Sequence, residues 1–304
     1  MAPDSVSHPI VCFGEVLWDI LPDKSLPGGA PMNVAYHLQK LGLRPAMISR
    51  VGADEYGNKL IEMLSGNQLS TAFIQVDQQH ETGLVYAKPG ATNEMTYDIV
   101  YPSAWDFIEQ QPALHDLVNN ASYFVFGSLA TRHFTSRETL YTLLEAPTTK
   151  VLDINLRQPY YDQPGVEALL QKADILKLNE SELEIIASWY GTYPAKELQI
   201  QLLQDRFAIE TVIVTMGADG AMVARSGQYF YNPSYKVEVA DTIGSGDAFL
   251  AGFLSQLYNK ASMQEALDYA SGLGALIASY HGACPAYDLA EVTRLMQASR
   301  QPHL

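Results

Sequence analysis

An α/β fold built on a mainly parallel sheet is predicted by two observations along the 304 residues: a strand–helix alternation, and one segment that breaks it. Ile10–Phe13, Ala46–Ser49, Tyr123–Phe126, Val151–Ile154, Ile175–Leu178 and Thr211–Thr215 are short, largely apolar β-type runs. Helical runs lie between them, at Pro31–Leu41, Glu55–Leu64, Ser136–Leu144, Glu180–Trp189 and Ala195–Arg206. Strands apolar on both faces belong to a sheet covered on both sides, and strand–helix alternation makes that sheet parallel. Thr82–Tyr101 instead reads as two strands joined by a Gly-containing turn at Pro89–Asn93. A hairpin inserted into a parallel chain is expected to form a separate β layer, helped by the region around Glu15–Leu26; an antiparallel edge hairpin on the main sheet is the alternative. Residues from Ser245 to Arg300 read as mostly helical, with turns near Ala261-Ser262 and His281–Pro285. No linker, repeat or low-complexity tract interrupts the chain, so residues 1–304 are expected to form one domain.

Composition narrows the function. A formal charge of -15 argues against nucleic acid and against anionic membrane surfaces, where a basic face dominates. Nucleotide binding stays open, because backbone amides, Mg²⁺ and a few lysines achieve it locally. The two cysteines, Cys12 and Cys284, lie far apart and form no C-x-x-C pattern, which suits a reduced compartment. The first residues are polar, and no apolar run reaches the roughly 18 residues of a membrane span, so a cytoplasmic location is expected. The seven histidines show no metal-site spacing.

The most specific stretch is Val239-Ala-Asp-Thr-Ile-Gly-Ser-Gly-Asp-Ala-Phe249. Two glycines let successive N–H groups turn into one small space, and a helix starting there adds its free N–H groups and dipole. A carboxylate beside such an anion site makes sense if Asp247 takes a proton from a hydroxyl while the backbone holds developing charge. The run, with Asp241-Thr242 ahead of it, a β-like lead-in at Tyr235–Ala240, and Ala248, Ala251 and Gly252 behind it, resembles the D-T-x-G-[AS]-G-D signature of the ribokinase/PfkB carbohydrate kinases. That resemblance implies a ribokinase-like three-layer sandwich with a small β lid from about 15–30 and 82–103. It makes Asp247 the general base, and Gly244, Ser245 and Gly246 the anion hole. Gly52–Gly57 opens like a P-loop but fails, with Asn58 where the lysine belongs and Leu60 after Lys59.

At the N-terminal end, Asp19 follows the first strand, where ligands of α/β sheets bind. Pro27-Gly-Gly-Ala-Pro-Met-Asn33 then leads into a helix. Asp19 and Asn33 offer the acceptors and donors a polyhydroxylated ligand needs. Taken alone, Gly-Gly-Ala-Pro reads as a turn and Asp19 as a solvated loop charge. FGEVLWDILP, GGAPMNVAYHLQKLG and SRVGADEYG together resemble the fructokinase branch, which implies sugar contacts from Asp19, Gly28, Gly29 and Asn33. Tyr86, Tyr97 and Trp105 are lid aromatics expected to face the sugar or a partner subunit, with Tyr97 assigned to the substrate.

In the middle of the chain, Asp153, Asn155 and Arg157 alternate and would share one side of an extended segment. They read as a strand end in solvent, or, by resemblance to D-x-N-x-R, place Arg157 at the substrate. Asn179 and Glu182 have capping-box spacing. Resemblance to N-x-x-E also assigns Asn179 to the nucleotide phosphates and Glu182 to Mg²⁺ through water. Thr215, Gly217 and Gly220 read as strand–turn–strand or, by resemblance, as lying along ATP. Ala278–Pro285 resembles a loop that, with Asp241 and the carbonyl of Ile243, holds K⁺ in many members.

These readings converge on an ATP- and Mg²⁺-dependent kinase acting on a ketose hydroxyl, D-fructose to fructose 6-phosphate foremost, with a homodimer through the lid. A 2-keto-3-deoxygluconate kinase or another sugar or nucleoside kinase is the alternative, because the aromatic–Arg pair of many fructokinase lids reads Val100-Tyr101 here. A non-catalytic sugar or nucleotide sensor on this fold would be marked by a lost base, and Asp247 is present.

Overall fold

The computed structural model describes residues 7–89 and 95–300. They form an α/β fold with a large, mostly parallel sheet and a smaller separate sheet. The chain divides into two compact units, one running to Phe126 and including Ala130–Thr149, the other made of Gly127–Leu129 and the chain from Lys150 onward.

The first unit carries β1 (Ile10–Phe13), β2 (Leu17–Ile20), β3 (Ser25–Gly28), α1 (Ala30–Lys40), β4 (Ala46–Gly52), α2 (Glu55–Gly66), β5 (Ile74–Asp77), β6 (Gly83–Pro89), β7 (Met95–Ile99), α3 (Pro112–Asn119), β8 (Tyr123–Gly127) and α4 (Phe134–Leu143). Its part of the large sheet has β1 between β4 and β8, parallel to both, with β5 parallel to β4. All four residues of β1 are fully buried, as an apolar run covered on both faces must be. α1 starts at Gly29, whose φ of 114° is open to glycine, with proline in the first turn. α2 is capped by Asp54, which accepts from Gly57 N (2.8 Å), from Thr82 N (2.7 Å) and from Thr82 Oγ1 (2.8 Å). One carboxylate thus fixes both a helix start and the entry to β6.

The hairpin is not an edge of the large sheet. β6 and β7 pair antiparallel, β6 runs parallel to β2, and β2 pairs antiparallel with β3, giving a four-stranded sheet in the order β3-β2-β6-β7. After Pro89, the turn expected at Pro89–Asn93 lies outside the described residues.

The second unit carries β9 (Thr149–Asp153), α5 (Gln163–Leu170), β10 (Ile175–Asn179), α6 (Glu180–Ser188), α7 (Lys196–Phe207), β11 (Thr211–Thr215), β12 (Ala221–Arg225), β13 (Gln228–Asn232), α8 (Ser245–Tyr258), α9 (Met263–Ala278) and α10 (Leu289–Arg300). β10 lies parallel between β9 and β11, and β12 and β13 continue antiparallel. Gly252 admits α9 closely: a Cβ there would lie 3.2 Å from Ala270 Cα.

Two expectations are corrected. Tyr235–Ala240 is not a strand; β13 ends at Asn232, because Pro233 lacks an N–H for the ladder and Ser234 turns with φ 71°. Asp153, Asn155 and Arg157 do not share an extended face, because β9 ends at Asp153 and Asn155 takes φ 40°. Among the described residues, no helix is long and apolar enough to cross a membrane.

Candidate active site

Gly244 is the N-cap of α8 in the left-handed region (φ 76°), where glycine alone is unstrained, and Asp247 falls in the helix's first turn. Ser245 turns both its groups back: its N–H donates to Thr242 O (3.3 Å) and its hydroxyl to the same oxygen (2.9 Å). The N–H groups of Gly246 and Asp247 stand ahead of the bond from Ala248 N to Gly244 O (2.9 Å). They, and not the Ser245 N–H expected in the anion hole of Gly244, Ser245 and Gly246, are the amides best placed for an anion at this helix start, because the Ser245 N–H is spent on Thr242 O.

A cation missed by the sequence reading lies at the same turn. Lys177, in the middle of β10, is buried and donates from Nζ to both oxygens of Asp153, at 2.9 and 2.7 Å. Asp153 is its register partner on β9. Burial would lower the Lys177 pKa, but the facing carboxylates of Asp153, Asp247 and Glu182 outweigh it and raise it, so the ammonium is retained. A lysine inside the apolar run Ile-Leu-Lys-Leu was the available signal.

Glu182 and Asn179 form a reciprocal capping box on α6, with Glu182 N donating to Asn179 Oδ1 (2.9 Å) and Asn179 N to Glu182 Oε2 (2.8 Å). Glu182 Oε1 accepts from Leu156 N (2.8 Å), so each carboxylate oxygen already holds a backbone N–H. Burial raises the Glu182 pKa. Among the described residues, no cluster of three His, Cys, Asp or Glu could cage a metal. A hydrated Mg²⁺ carried mainly by phosphate oxygens, as that ion prefers, fits this donor set through the second lone pairs of Glu182.

Thr215 ends β11, while Gly217 (φ 56°) and Gly220 (φ 96°) make the turn into β12. At Gly220 a side chain would strike the Asn232 carbonyl, so the strand–turn–strand reading holds here whatever else the loop does. The Asp241 carboxylate accepts from Ile243 N (3.0 Å) and Gly282 N (3.1 Å), and the N–H groups of Ala240 and Asp241 donate to Ala278 O (2.9 and 3.2 Å). The two loops expected to share K⁺ are therefore joined. Arg157 is exposed, its Nη1 donating to Leu156 O (3.2 Å).

The residues expected on the sugar side, Arg157 apart, lie within the first unit. β3 ends at Gly28, Gly29 caps α1, and the buried Asn33 sits one turn into that helix, its N–H donating to Gly29 O (2.8 Å). Glycine at 28 leaves room for the Asp19 carboxylate, which a Cβ there would overlap; at 29 a Cβ would overlap the Glu15 carbonyl. Register puts Asp19 beside Val85, Val85 beside Ile99, and Tyr97 beside Ala87. With side chains alternating, Tyr97 shares Asp19's face, and Tyr86, opposite Asp98, takes the other. Trp105 faces neither sugar nor partner: it is fully buried, with the Arg132 guanidinium 3.8 Å from its ring centroid.

A helix start carrying amides and a carboxylate in the second unit, and a carboxylate, an amide and two glycines gathered in the first, are the groups expected of a phosphotransferase with a hydroxyl acceptor. Residues 13–289 match the pfkB family carbohydrate kinase model, and the chain belongs to the PfkB family of carbohydrate kinases. It is 30% identical to probable fructokinase-6, chloroplastic, of Arabidopsis thaliana, over 91% of this chain and 79% of that one. It is 28% identical to a 2-dehydro-3-deoxygalactonokinase of Haloferax volcanii, over 93% of each. Among solved structures, it is similar to the Vibrio cholerae O395 fructokinase in its fructose-, ADP- and calcium-bound form, with TM-score 0.81, 28% identity, and 96% of this chain and 100% of that one covered.

Proposed function

We propose that this sugar kinase is ATP-dependent and phosphorylates a ketose, D-fructose to fructose 6-phosphate foremost. The start of α8 carries the reading: two amides and a carboxylate presented together behind a glycine cap in the left-handed region. Asp19, Gly28, Gly29 and Asn33 hold the sugar hydroxyls, Tyr97 packs on Asp19's side of the small sheet, and Arg157 serves the substrate side. Asp247 accepts the proton of a primary hydroxyl as that oxygen attacks the γ-phosphorus in line and ADP leaves. The Gly246 and Asp247 amides stabilise the equatorial oxygens, so positioning and electrostatics supply most of the acceleration. Asn179, Thr215, Gly217 and Gly220 serve the nucleotide. Mg²⁺, when bound, neutralises phosphate charge, with Glu182 orienting its water. Asp241 and the Ile243 carbonyl are assigned to K⁺. The small sheet acts as a lid of one kinase domain, excluding water from the sugar and carrying a homodimer contact. We place the protein in the cytoplasm, which suits its two cysteines, Cys12 and Cys284, neither of them in a disulfide.

The likeness to the Haloferax volcanii protein and the Val100-Tyr101 pair favour a second reading, a kinase of 2-keto-3-deoxy sugar acids. ADP release measured across ketoses, sugar acids and nucleosides, with the phosphorylated position identified, separates the two. General-base help is worth roughly 10² to 10⁴-fold. Asp247→Ala is therefore expected to lose at least about that much kcat with an unchanged thermal melt, and near-normal turnover in that variant rejects the reading.

A further inference from the structure

Gly246 is not required by its backbone. It lies inside α8 and is absent from the positive-φ residues, and alanine is the better helix former there. What occupies the space of a side chain is Lys177: a Cβ on Gly246 would stand 3.3 Å from Nζ and 3.7 Å from Cε. The ammonium is held by both oxygens of Asp153, with 9% and 6% of the two side chains exposed. The charged groups facing it are Asp153, Asp247 and Glu182.

We propose that Lys177, oriented by Asp153, is a positioning residue of the phosphoryl-transfer turn, its ammonium seated behind Gly246 to strengthen the charge that the Gly246 and Asp247 amides present to the transferred phosphoryl group. The second glycine of the turn is then the opening through which that charge acts. The proposal rests on the kinase reading of the turn and adds a residue to it. A fixed cation behind the amides favours the extra charge of a triphosphate, and of the transition state, over a diphosphate.

Three variants test it: Lys177→Met, the double variant Asp153→Asn with Lys177→Met, and Gly246→Ala. The double variant removes both charges and so avoids a lone buried carboxylate, which is what endangers folding of the single one. Calorimetry gives the affinities for ADP and for the non-hydrolysable β,γ-imido analogue of ATP, and kinetics give kcat and the sugar KM. The Lys177 variants are expected to bind the analogue about tenfold more weakly relative to ADP, a loss of about 1.4 kcal/mol. Their kcat is expected to fall by about 10² with the sugar KM unchanged. Gly246→Ala, which keeps the ion pair but crowds the ammonium, moves the same ratio in the same direction. A folded double variant with wild-type kcat and analogue-to-ADP ratio overturns the proposal. If the double variant does not fold, a wild-type ratio in Gly246→Ala overturns it instead. Should Asp247→Ala also turn over normally, the kinase reading of the turn falls; should Asp247→Ala be inactive while these variants behave as wild type, only the role of Lys177 falls.

Discussion

Gly244 and Gly246 are two residues apart and are glycines for different reasons. Gly244 needs its φ of 76°, and a Cβ on it would lie 2.6 Å from Ala283 Cα; Gly246 needs only the space that Lys177 fills. Gly244→Ala therefore adds backbone strain of about 1–3 kcal/mol to a contact that must be relieved. We expect a melting temperature several degrees lower, together with a large loss of kcat as the turn reshapes; an unchanged melt refutes this account of the residue. The reason for Gly244 was legible in the sequence, because a glycine ahead of a helix is a local signal. The reason for Gly246 was not. It depends on a lysine far back in the chain, and β10 read only as a buried strand.

Elements show the same division. The strand runs and most helices stand where apolar periodicity placed them, with ends moved by up to three residues. Tyr235–Ala240 failed, since alternation cannot outweigh Pro233 and the turn at Ser234. The exit of β7 is held by a pair that no pattern announced. Arg132 donates from Nε to Asp106 Oδ1 (2.7 Å), and from Nη2 to Asp106 Oδ2 (2.7 Å) and to Val100 O (2.8 Å). The two side chains are 1% and 0% exposed. Removing one partner of a buried, hydrogen-bonded ion pair costs about 3–5 kcal/mol. Asp106→Ala is accordingly expected to lower the unfolding free energy by that amount, read from the shift of the denaturant midpoint; a loss below about 1 kcal/mol would show that Arg132 finds solvent or another acceptor. Because Val100 leads out of the four-stranded sheet, its sugar KM is also expected to rise.

For the molecule as a whole, the small sheet raises the question of what covers it. β3 and β7 are its edges, and Tyr97 and Tyr86 are 52% and 38% exposed on opposite faces. Open edges invite pairing, and a second copy is the occupant in the proposed homodimer. Light scattering is expected to give twice the chain mass, reduced to one by Tyr86→Asp; a wild-type monomer at assay concentration rejects it. The sequence by itself determined the α/β class, the separate hairpin layer and the glycine-capped helix start that carries Asp247. Those rest on local periodicity, glycine conformations and residue types within a few positions of one another. Only the tertiary structure decided that Lys177 meets Asp153 across β9 and β10, that Arg132 closes on Asp106, and that Tyr97 lies on Asp19's face. Each depends on strand register or on packing between distant segments, which apolar periodicity leaves open because it records which side chains are buried and not which partner they meet.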